Sequence, residues 1–164
     1  MSPLRRGPLV LVLVLLAAAC SNGSINGSIP EAAAAASLPI ETLLQQSNPG
    51  QAGPARREVI RDEAAWKRVW AELREGSALP AEPPAVDFAR DMVILAAIET
   101  QGCVSRVTIR GVERQGQDLI VDLLEAPPAP NCVCIVSERP FHLIRLQQSD
   151  LPVRFEAEQG RTEC

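Results

Sequence analysis

Residues 86–125, VDFARDMVILAAIETQGCVSRVTIRGVERQGQDLIVDLLE, decide the fold. The run 92–98 is almost wholly apolar and short, which marks a strand buried on both faces rather than a helix. In residues 104–112, Val107 and Ile109, with Val112 more loosely, oppose the polar Arg106, Thr108 and Arg110. That period of two marks a half-buried strand. Residues 113–118 are polar and carry Gly116, so the chain turns there and 119–124 returns as another strand. The economical expectation is a three-strand antiparallel meander.

Upstream, residues 58–61 (EVIR) read as a short first strand, and Asp62 is placed to cap a helix with Glu63 at its positive end. Trp66, Val69, Trp70 and Leu73 then fall at i, i+3, i+4 and i+7, a full apolar stripe. Gly76 follows as the expected C′ residue. Packing of both indoles across a sheet accounts for the stripe better than an aromatic platform for a ligand. Pro80, Pro83 and Pro84 make the next link rigid, and Asp87 is expected to accept backbone N–H bonds in a turn.

Downstream, the proline-rich residues 125–131 cannot continue a central strand. Residues 132–137 read as a short β run broken at Arg139-Pro140, 141–146 as a further strand, and Val153, Phe155 and Ala157 as one face of a last strand. One helix and about seven strands result. The expected class is α+β, mainly β, an antiparallel sheet or sandwich with one amphipathic helix packed on it.

The N-terminus carries an address. Arg5 and Arg6 precede an apolar run too short to span a bilayer, and small residues abut a cysteine in Ala17-Ala18-Ala19-Cys20-Ser21. Residues 1–19 are therefore expected to be a signal peptide. The pattern resembles the lipobox of bacterial lipoproteins, with Ala17 where leucine is commoner. That resemblance implies a triacylated Cys20 at the mature N-terminus, held firmly because several chains anchor where one does not. Ser21 leans towards the outer membrane of a cell that has one, and a secreted protein is the alternative. Residues 20–56 lack a sustained hydrophobic period and read as a lipidated cysteine followed by a flexible tether. Within them Ile40, Leu43 and Leu44 have the spacing of one or two helical turns.

Without residues 1–19 the chain has 16 − 2 = 14 basic and 20 acidic residues, a net charge of −6. That argues against nucleic acid and against a polybasic membrane-binding surface. The domain, residues 57–164, is large enough for one core.

The order of features resembles the family of the C-terminal domain of PrcB, a subunit of a secreted bacterial protease complex. The residues that carry the likeness are Trp66 and Trp70, Val86-Asp87-Phe88, Asn131-Cys132, Pro140 and Val153-Arg154-Phe155. Members often have a Gly-Gly-Tyr-like turn after the apolar strand, where this chain has Thr100-Gln101-Gly102-Cys103. The family implies association with, or stabilisation of, an exported protease and no catalytic residues of its own.

Four cysteines lie in the domain, Cys103, Cys132, Cys134 and Cys164, and an even count in an exported chain points to disulfides. Cys132 and Cys134 sit two apart, and bonding them together would demand unusual geometry, which leaves two connectivities. The resemblance suggests Cys132 with Cys164, and so Cys103 with Cys134. No metal site is expected from these thiols and His142, because no C-x2-C pair exists. No cofactor-binding motif occurs either. His142, the single histidine, sits on an alternating strand and is expected to face solvent. A catalytic role for it would need a nucleophile on a strained turn, and G-x-S-x-G is absent. Glu99 and Glu125 form the remaining carboxylate pair, with nothing to fix their separation.

The expected function is a non-enzymatic, membrane-anchored envelope lipoprotein. Its domain would bind another exported protein as adaptor, stabiliser or inhibitor of a protease. The alternative is a small-ligand binder or hydrolase using His142 and Asp87.

Overall fold

The structure, a computed structural model, describes residues 35–49, 53–99, 105–133 and 138–163. Among them are eight strands and one helix: β1 (Ala36–Leu38), β2 (Glu41–Pro49), β3 (Arg56–Ile60), α1 (Glu63–Arg74), β4 (Asp91–Ala97), β5 (Arg106–Gln115), β6 (Asp118–Ala126), β7 (Glu138–Gln147) and β8 (Val153–Gln159). They form two four-stranded sheets. The central sheet has the order β2-β7-β4-β3 and the outer sheet the order β1-β5-β6-β8. The mainly β, sandwich-like class read from the sequence is the observed one, with eight strands in place of about seven.

Three layers follow from where the apolar side chains go. β4 is buried along almost its whole length because it is covered on both faces. Val93, Leu95 and Ala97 meet the helix stripe on one side, while Met92, Ile94 and Ala96 meet Val107, Ile109 and Val121 of the outer sheet on the other. Asp62 caps α1 by accepting the Ala65 N–H at 2.7 Å, and Gly76 leaves the helix with φ of 69°. Trp66, Val69, Trp70 and Leu73 are all buried against the central sheet. The indole N–H groups anchor the proline link: Trp66 Nε1 donates to the Pro84 carbonyl at 3.0 Å and Trp70 Nε1 to that of Pro80 at 3.1 Å. Pairing the indoles with carbonyls removes the cost of burying an unmatched donor.

Several expectations give way. Residues 36–49 are strand rather than tether, so the fold begins about twenty residues earlier than residue 57. The helical spacing of Ile40, Leu43 and Leu44 has a different origin. A β-bulge between Thr42 and Leu44 puts Leu43 and Leu44 together on the helix side, while Ile40 packs between the sheets. The three-strand meander is also replaced: β5 and β6 are a hairpin with Gly116 at φ of 61°, but β4 pairs with β3 and β7 in the other sheet. The fold is not wholly antiparallel, because β8 lies parallel to β6.

Pro140 does not break a strand. It lies inside β7, one residue beyond the pairing of Phe141 with Ala97, where the ladder to β4 is ending. Its carbonyl still accepts the Ile98 N–H at 3.3 Å, and its missing donor falls where no β4 residue continues the ladder. β7 is consequently an inner strand, not the free edge that a break at Pro140 suggests. Of the β run placed at 132–137, Cys132 and Val133 are irregular and the rest lies outside the described residues.

Candidate functional site

The sheets meet at a seam between β2 and β5. β1 runs beside β5 only from Val112 to Arg114; the chain then crosses at Pro39-Ile40 into β2, which joins the central sheet. From Ile109 back to Arg106, β5 has no strand among the described residues on the side away from β6. β2 ends the central sheet and is likewise open on the side away from β7. Side chains of β2 and β7 approach this open edge of β5, and a row of backbone groups without a strand partner invites another chain.

Side chains bridge part of this seam. Gln45 Nε2 donates to the Val107 carbonyl at 2.8 Å and to Thr108 Oγ1 at 2.9 Å. The Ile109 N–H donates to His142 Nδ1 at 2.8 Å, which fixes the ring proton on Nε2, where it meets Thr42 Oγ1 at 3.0 Å. His142 is only 2% exposed, and burial lowers its pKa. The expectation of a solvent-facing His142 fails for a definite reason. Alternation puts it opposite Phe141 and Leu143, but that second face of β7 is covered by the outer sheet.

Beyond these bridges the seam opens into a cleft of about 320 Å³. Residues 45–47 form one wall and residues 105–107 the other, over Pro140 and Phe141. Ser105 is 8% exposed, and its Oγ is buried without a hydrogen-bond partner. Arg106 is exposed and enters none of the ion pairs among the described residues. A second depression of about 290 Å³ is apolar, lined by Leu43, Leu44, Trp70 and the proline link.

The other residues singled out from the sequence serve the fold or lie elsewhere. Asp87 Oδ1 accepts the Ala89 N–H at 3.1 Å, and its carbonyl accepts those of Arg90 and Asp91, the turn role expected of it. Glu125 is paired with Arg57 at 2.6 Å and accepts from Gln159, so it is held in a surface network, while Glu99 is exposed. Cys132 is disulfide-bonded. Cys20, Cys103, Cys134 and Cys164 lie outside the described residues, as do residues 1–19 and residues 20–34 and 50–52 of the expected tether. No cluster of three or more metal-ligating side chains forms among the described residues. No helix among them is long and apolar enough to cross a membrane.

Gln45 and Ser105 escaped the sequence reading because the packing of each depends on residues far away in the chain, on β5 and β7 for Gln45 and on β2 and β7 for Ser105. The only signal was local: a Thr-Leu-Leu-Gln-Gln run in which Thr42 and Gln45 fall on the side opposite its two leucines.

The fold and seam together define a helix-backed β-sandwich with an open junction between its sheets. No protein-family model, no curated protein and no solved structure matches the chain.

Proposed function

We propose that this chain is an exported envelope lipoprotein whose sandwich is a non-enzymatic protein-binding module of the PrcB-like kind, acting as adaptor, stabiliser or inhibitor of an exported protease. The observation that carries this reading is the placement of His142. Both ring nitrogens are engaged inside the fold, one by the Ile109 N–H and one by Thr42. A general base needs a free nitrogen within reach of a substrate proton. Asp87, the other group on which a hydrolase would rest, is engaged in its own turn. The chemistry-bearing residues thus hold the structure, while two strand edges remain open to another chain.

The signal-like N-terminus and Cys20 place the module at a membrane. With β1 starting at Ala36, residues 21–35 separate Cys20 from the first strand, a stretch that can span at most about 54 Å in any conformation. The partner therefore works close to the bilayer.

The test is site-specific crosslinking of the full-length protein in intact envelopes, followed by mass spectrometry, with the mass of the N-terminal peptide read from the same membrane fraction. One recurrent exported partner and an acylated Cys20 are expected. An unmodified Cys20 in the soluble fraction removes the anchor. A hydrolytic turnover abolished by His142→Gln in a folded protein removes the binding-module reading.

A further inference from the structure

The cleft between β2 and β5 has features that point to one kind of occupant. Its walls are residues of β2 and the start of β5 with Ser105 before it. Hydrogen bonds show which backbone groups face it, because the Val107 carbonyl and the Ile109 N–H both point away from β6 and are met by the side chains of Gln45 and His142. Ser105 immediately precedes β5 and lines the cleft. Gln45 and His142 stand in for a missing strand along the narrow part of the seam. Towards Ser105 the gap widens into the cleft, and no side-chain hydrogen bond among the described residues bridges it. Ser105, which lines the cleft, is 8% exposed, and its Oγ is buried without a hydrogen-bond partner among the described residues. Such a group is costly unless a ligand satisfies it. Arg106 also lines the cleft, exposed and with no carboxylate of its own among the described residues.

We infer that the cleft receives an extended peptide segment of a partner protein, inserted as a strand between β2 and β5, with an acidic side chain set against Arg106. This rests on the protein-binding reading and names its surface. Main-chain bonds to the two edges supply affinity, and Ser105, Arg106 and the Phe141 floor supply selection. A strand advances about 3.3 Å per residue, so a cleft walled by three residues on each side holds a short stretch of the partner and no more. Only a few partner residues are then read.

The probe is a phage-displayed library of eight-residue peptides selected on the full chain, with enriched peptides resynthesised for titration. Enriched sequences should lack proline, favour β-branched residues and carry Asp or Glu at one recurrent position. Their titration should shift the amide resonances of Ser47 and Val107. Arg106→Glu, at an exposed position, should leave the melting temperature unchanged and weaken binding at least tenfold, while Arg154→Glu on β8 should leave it unaltered. Peptides that ignore Arg106→Glu, or that shift β8 resonances instead, overturn the cleft and leave the protein-binding reading standing. So does a library that yields no binder while crosslinking captures a partner through another surface. Failure of both experiments removes the binding reading itself.

Discussion

The two sides of the central sheet are closed by different physics. On one, α1 is sealed by bulk burial: Trp66 and Trp70, with ring centroids 5.5 Å apart, cover Leu95, Phe141 and Leu143. On the other, most of the outer sheet also packs through apolar residues, but its junction with β2 is sealed by three polar side chains satisfying backbone and one another. Burial scales with area and has no direction. Hydrogen bonds depend on geometry and, at His142, on protonation. The helix side should therefore respond to loss of volume and ignore pH, and the seam should do the reverse.

The largest test of that contrast lies on the helix side. Trp66→Ala empties an almost fully buried indole site and should cost about 3–5 kcal/mol, read from denaturant unfolding. A loss near zero would mean that the stripe is not the seal. At the seam, His142→Ala leaves the buried Ile109 N–H without its acceptor and should cost about 1–3 kcal/mol. The third test uses pH. Because burial lowers the His142 pKa, the unfolded chain takes up a proton that the folded one refuses. The stability that neutral His142 supplies is complete above the unfolded value near 6.5 and is lost as pH falls towards the lowered folded value. Within that window this one group should contribute a slope of at most about 1.4 kcal/mol per pH unit, the limit for one proton. The slope should vanish in His142→Ala and persist in Trp66→Ala. Smallest is Gln45→Ala, which removes two bonds at the rim and should cost about 1 kcal/mol with no effect on the pH slope.

How far the sequence reveals each side follows from the range of the interactions. α1 is legible because its cap, stripe and stop lie within fifteen residues: Asp62, the four apolar positions and Gly76. β4 is legible because a strand covered twice must be apolar throughout. β2 is hidden because its bulge gives Leu43 and Leu44 the spacing of a helix. His142 misleads because alternation separates two faces of a strand without saying what covers the second. The parallel pairing of β6 with β8 is invisible for a similar reason, since nothing near Val153 records which edge receives it. The cleft was unreadable on every count, being made of backbone edges brought together by those same distant pairings.

The early position of β1 and β2 also sets the order in which the protein can assemble. Ala36 pairs with Arg114, 114 − 36 = 78 residues away, and Glu41 pairs with Arg145 across 104 residues. The β5–β6 hairpin needs only its own turn. Pairings that long carry a large loop-closure cost before they return any contact, and folds dominated by them are slow, on the order of milliseconds to seconds. As the chain emerges N-terminus first, β2 must wait, with Leu43 and Leu44 uncovered, until β7 arrives. During that interval its unpaired edge is a template for any other extended chain, and speed of emergence as well as stability governs the yield of native protein.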